Sequence, residues 1–183
     1  MRRKKTRFLT RAGKSAIAGA LGGLAGALTM SLSARLWDKL VGGPGLSKSE
    51  LGRLEARRFV SGSAQELDSI SKAADWVDAR IFRHRLSPTQ KAVVAALAHY
   101  AVGASVGAAY GVLAEAEPIV TRAMGVPFGV AESVGVESIG LSLAGVTLPL
   151  RDYRMRDYIQ SAVDHAVYST TVEMTRRLAR GAA

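Results

Sequence analysis

Hydrophobic residues along most of this chain come in long stretches without charge, not in the alternation of a strand or the one-sided stripe of a surface helix. Ser15 to Ala34 contains no charged residue, and Ala92 to Ala114 repeats the feature. Each run has about the twenty residues that a helix needs to cross a bilayer core. Trp37 follows the first run, where an interfacial aromatic belongs. The second opens on Ser87-Pro88-Thr89-Gln90, which reads as an N-cap, a proline at the first helical position and a capping-box glutamine. It closes at Glu115-Ala116-Glu117-Pro118, which does not easily continue a helix. Two further stretches, Pro127 to Leu148 and Tyr158 to Leu178, are of helix length and mostly apolar. The first is interrupted by Glu132 and Glu137, the second by Asp164, His165 and Glu173.

This pattern predicts an all-α polytopic membrane protein, a four-helix transmembrane bundle with spans at about residues 15–37, 89–114, 127–148 and 157–178. A half-inserted, peripheral placement of the last two stretches is the alternative, since a charge at the centre of a span costs about 2.5–3.5 kcal/mol. Small residues mark the expected contacts between helices. Gly19 with Gly23, and Gly22 with Gly26, form two interleaved pairs four residues apart, and Gly103, Gly107 and Gly111 repeat the step. So many glycines weaken a helix in water but let two backbones approach closely in lipid.

Between the first two spans, residues 41–86 are polar and predicted to form an extramembrane helical loop. Ser47-Lys48-Ser49-Glu50 and Ser63-Ala64-Gln65-Glu66 are capping boxes. After the second, Leu67, Ile70, Ala74, Val77 and Ile81 recur at three- and four-residue steps, predicting an amphipathic helix. It is either a cap on the bundle or a docking helix for a partner or membrane surface.

Charge adds orientation. Of a net charge of +10, Arg2, Arg3, Lys4, Lys5, Arg7, Arg11 and Lys14 supply seven before any acidic residue, leaving about +3 for the rest. A tail like this at residues 1–14 is a nucleic-acid arm, a secretory or twin-arginine n-region, or a positive-inside topology signal. The charge-free run that follows and the further spans favour the last. The expectation is a multi-pass membrane protein, both termini cytoplasmic, with the lipid bilayer as partner and no nucleic acid bound.

The chain after the tail resembles the YagU-like family of bacterial inner-membrane proteins. The likeness rests on the glycine-rich first span, the long polar loop and three motifs: His99-Tyr100 with Tyr110-Gly111, Glu137 leading to Gly140-Leu141-Ser142, and His165-Ala166-Val167-Tyr168 with Glu173 and Arg176-Arg177. Ser169 stands where that family often has glycine. The resemblance implies a bacterial inner membrane and brings no reaction with it.

Candidate chemistry lies in the ionisable residues inside the spans, since such groups are costly to place there. His99 stands eight residues past Lys91 and His165 eight past Asp157. If the second and fourth spans run the same way, both imidazoles lie about 12 Å below one membrane face. Ser161, His165, Ser169 and Glu173 form a stripe at four-residue steps, and Ser133, Glu137 and Gly140 share a face. Two function classes follow. One is a structural or accessory protein whose glycine ridges bind copies of itself or a membrane-protein partner, its polar residues serving as glue between helices. The other is a proton-responsive sensor or small transporter using His99, Glu137, His165, Glu173 and Ser169. Two level histidines could also ligate a haem, but the chain lacks aromatic bulk around them. Glu132, Glu137, His99 and His165 could hold a divalent metal, but no short histidine or carboxylate metal spacing supports it. There is no cysteine, and no nucleophile elbow, P-loop or dinucleotide fingerprint. No enzyme activity, metal or cofactor is expected.

Overall fold

The computed structural model describes residues 2–41, 86–140 and 153–181, together with Lys72, Asp75, Ala79 and Leu143. The elements among them are all helical: α1 (Arg2–Val41), α2 (Pro88–Ala116), a 3-10 segment (Pro118–Gly125), α3 (Val126–Glu132), a π-helical segment (Ser133–Gly140) and α4 (Met155–Gly181). The two capping boxes of the polar loop and its amphipathic helix lie outside the described residues, as does most of the third stretch beyond Gly140.

Two helices contain a stretch long and apolar enough to cross a membrane, Thr10–Val41 in α1 and Thr89–Ala116 in α2. Among the described residues no other helix meets that test: in α4 Asp164, His165 and Glu173 interrupt the apolar run, and the third stretch is described only to Gly140 and at Leu143. The helix of α1 starts at Arg2, so the basic segment forms its first turns. At the start of α2, the Ser87 hydroxyl accepts from the Gln90 N–H at 3.3 Å while the Gln90 side chain accepts from the Ser87 N–H at 2.8 Å. That reciprocal pair and Pro88 set the helix start.

Burial runs opposite to that of a water-soluble bundle. Ile17, Leu21, Leu28, Leu32, Leu36 and Leu40 are exposed along α1, whereas Asp157, Gln160, Ser161, Asp164, His165 and Glu173 are buried on α4. Water-driven folding would bury the first set and expose the second.

Glycine spacing dictates the contact between α1 and α2. Carbon added as a side chain at Gly111 would overlap the Ser15 carbonyl, at Gly19 the Gly107 carbonyl, and at Gly23 the Gly103 carbonyl. Every four residues gained along α1 are four lost along α2, so the two run antiparallel with backbones touching for three turns. The other pair of α1 glycines meets α4: Gly22 lies on the Val172 backbone and Gly26 on the Tyr168 ring. Thr29 and Thr171 hydroxyls bond at 2.9 Å across the same interface. The two interleaved glycine pairs of α1 therefore serve two different neighbours.

A second small-residue seam joins α3 to α4. Gly125 lies against Ser169, Gly129 against the carbonyl of His165, and the Ser133 hydroxyl 2.6 Å from that of Ser161. These steps of four again run in opposite senses. The turn that brings α3 back holds Ala123, Met124 and Gly125 at positive φ (45°, 58° and 80°), a conformation that suits only the last.

Placing leucine at Gly107 should destabilise the fold by about 1–3 kcal/mol or more through overpacking against Gly19 and Gly23. The same change at exposed Ala109 should be nearly neutral. Unfolding in mixed detergent micelles reads the difference, and equal tolerance would contradict the assigned interface.

Candidate functional site

The residues singled out in the sequence separate into three places. His99 lies between α2 and α1, with its Nε2 3.2 Å from the Ala27 carbonyl and 3.4 Å from the Ser31 hydroxyl. Tyr100 meets its ring edge-on at 5.3 Å. A carbonyl only accepts, so Nε2 carries the hydrogen and ties one helix backbone to the other.

Glu173 lies at the C-terminal ends of α2 and α4, completely buried. Arg176 donates to both its oxygens, from Nε at 2.8 Å and Nη2 at 3.0 Å, and Arg177 Nε donates at 2.7 Å. The Tyr110 hydroxyl donates at 3.0 Å from α2. Glu115 on α2 extends the network to Arg176 at 3.4 Å and Arg180 at 2.8 Å. Here a buried carboxylate is neutralised by guanidinium groups in forked geometry, an arrangement that binds strongly and orients its partners.

His165 and Glu137 come together, and Glu132 joins them. His165 Nε2 lies 2.7 Å from Glu132 Oε2, and Nδ1 lies 3.8 Å from Glu137 Oε2. Nδ1 is also 2.8 Å from the Ser161 carbonyl. The Ser161 hydroxyl donates to Glu137, which leaves Ser133 to donate to Ser161. Ser138 donates to the Ser133 carbonyl at 2.9 Å. Ser169, the remaining candidate, donates to the Ala166 carbonyl on its own helix at 3.2 Å and packs on Gly129.

Proton positions at His165 follow from these partners. The Ser161 carbonyl forces a hydrogen onto Nδ1. An Nε2 lone pair facing an ionised carboxylate at 2.7 Å would set two acceptors against each other. A proton therefore lies between Nε2 and Glu132, either as imidazolium and carboxylate or as neutral imidazole and carboxylic acid. Both descriptions hold one proton more than neutral histidine beside ionised glutamate.

His99 and His165 lie at similar depth. The Tyr168 hydroxyl donates to the Gly103 carbonyl at 2.5 Å, with His99 about 6 Å along the axis before Gly103 and His165 about 4.5 Å before Tyr168. They nonetheless occupy separate interfaces, so their level does not make them a pair. Glu132 stood in the sequence as a charge interrupting a span, and spacing gave no reason to join it to Glu137. Residues five apart point about 140° from one another on an α-helix. The Gly125, Gly129 and Ser133 spacing was the available signal that α3 packs closely on α4.

Among the described residues no group of three or more histidines, cysteines or carboxylates is placed to hold a metal ion. The chain matches no protein-family model, no curated protein and no solved structure.

Replacing Glu173 with glutamine removes the carboxylate that Arg176 holds with two donors and leaves the buried guanidinium leaning on Glu115 at 3.4 Å, at a cost of about 3–5 kcal/mol. Changing His99 to glutamine keeps a donor toward Ala27 and should cost about 1 kcal/mol or less. Unfolding of the two variants in detergent should rank them in that order.

Proposed function

We propose that this chain is a multi-pass membrane protein that binds and releases a proton at His165 within the bilayer, as a proton-responsive sensor or small transporter. The observation that carries this reading is the pair of carboxylates on one buried imidazole, with a proton required between Nε2 and Glu132. A buried ionisable cluster is costly in lipid and is a functional candidate for that reason. Histidine is the side chain whose unperturbed pKa, near 6.5, lies within the range of physiological pH change.

The four-span arrangement is part of the proposal. It is supported by the exposed leucines of α1 and by the polar buried face of α4, an inversion that suits a hydrocarbon surround. At 27 residues α4 is about 40 Å long, enough to cross the roughly 30 Å hydrocarbon layer. The chain then runs up, down, up and down, with α2 and α4 parallel, both termini in the cytoplasm and residues 41–86 outside. The glycine-zipper contacts α1–α2 and α1–α4 hold it together. Membership of the YagU-like family and residence in a bacterial inner membrane remain part of this reading, on the motifs that suggested them.

An accessory, complex-forming role is the second reading. It is favoured by His99 on Ala27, Tyr110 on Glu173 and Glu115 on Arg176 and Arg180, contacts that link helices. The glycine ridges themselves are occupied by neighbours within the chain, so a second copy or partner would dock on the exposed leucine faces.

The two readings separate on His-to-Gln substitution. In lipid, tryptophan fluorescence should titrate between about pH 5 and 7 in the wild type and in His99→Gln, and should lose that titration in His165→Gln. Identical curves for all three proteins would leave the accessory reading alone.

A further inference from the structure

The π-helical segment Ser133–Gly140 sits in the middle of the proposed site, and its register decides whether the site exists. Glu132 and Glu137 are five residues apart. On an α-helix that spacing turns the second side chain about 140° from the first. A π-helix has roughly 4.4 residues per turn and reduces the angle to about 50°. Both carboxylates thereby reach His165, one near each ring nitrogen. The same step brings the Ser138 hydroxyl onto the Ser133 carbonyl, a bond that spans five residues.

Such segments are rare and occur mostly as single turns at functional sites, because their hydrogen-bond geometry is less favourable than that of an α-helix. Here the local sequence leaves the segment free to change. Among the described residues no atom lies within 4 Å of where a Gly135 side chain would be, and Val134, Val136 and Ile139 face outward. The groups that hold the π register are those of the site: Ser161 donating to Glu137, Ser138 bonding Ser133, and the imidazole between two carboxylates.

Resting on the proton-site reading, we infer that Ser133–Gly140 is a register switch driven by the His165 proton. With the proton bound, imidazolium charge is shared between Glu132 and Glu137, and both carboxylates are held toward α4. On its loss, two carboxylates face a neutral ring and repel each other. A return to α register relieves this by turning Glu137 about a quarter-turn away. The titratable groups recorded against the ring are Glu132 on α3 and Glu137 on the π segment. On α4 itself, Asp164 adjoins His165 in sequence and Tyr168 lies one turn on. The switch thus turns proton binding in mid-bundle into rotation of the outward face of the third helical stretch.

Deleting Gly135 tests this, because it leaves Glu137 four positions after Glu132, on the same face of a plain α-helix. The site is kept while the register freedom is removed. Two readouts are needed on the protein in lipid nanodiscs. Imidazole nitrogen resonances of histidine-labelled protein follow His165 protonation, assigned by their loss in His165→Gln. Spin labels on Val136→Cys and Val163→Cys, introduced into a chain with no cysteine of its own, follow the register. In the full-length chain the label distance should change by about 3 Å or more between pH 5 and 8, the chord of a quarter-turn at a 2.3 Å helix radius. In the deletion the distance should stay fixed while His165 still titrates. If the deletion does not fold, Ser138→Ala serves: it weakens the π register and should move the distance change to lower pH. A label distance in the full-length chain that is constant while His165 titrates overturns the switch and leaves the proton site standing. A His165 that does not titrate overturns both.

Discussion

Enclosing the polar face of α4 is the constraint on which the rest of the structure depends. Ser161, His165 and Glu173 are buried on one helix, and buried polar groups require partners. Two surfaces of the protein supply them. Tyr110 and Glu115 on α2, with Arg176 on α4, complete the network at the C-terminal end. α3 and the π segment bring Ser133, Glu132 and Glu137 to the N-terminal half. The glycines follow from the same need. Only backbones in contact place short side chains such as Ser133 and Ser161 within bonding distance, and Gly129 provides that contact one turn away.

The two ends of this polar face are built for different tasks. At Glu173 the carboxylate is met by two guanidinium groups and a phenol, so charge and hydrogen bonding are matched and the helices are pinned. At His165 the recorded partners are carboxylates and serines, and charge depends on where one proton resides. The first arrangement gains from permanence. In the proposed reading the second changes its charge with its proton and so its attraction for Glu137. On that reading the contrast separates glue from site along a single helix.

Much of this was legible beforehand. The charge-free runs and capping box gave α1 and α2, because length, absence of charge and Ser87-Pro88-Gln90 act locally. The Gly103-Gly107-Gly111 step lies against α1, and the two interleaved pairs on α1 meet two different neighbours, a division that spacing alone did not announce. The sequence could not pair His99 with His165 correctly, because equal depth fixes height along an axis and says nothing about which interface a side chain enters. Glu132 escaped for a sharper reason: the α-helical rule sets it apart from Glu137, and the π register that joins them leaves no mark in hydropathy. The left-handed Ala123 and Met124 were likewise silent, since the residues themselves disfavour that conformation and the surrounding packing imposes it.

The central claim is that His165 and Glu132 share one proton inside a lipid-embedded bundle. Infrared difference spectra of the protein in bilayers, taken as pH is stepped through the histidine range, test it most directly. The account predicts carboxyl and imidazole bands that change together, and their joint loss in both Glu132→Gln and His165→Gln. Carboxyl bands that persist unchanged in His165→Gln, or an imidazole that titrates alone, would contradict it.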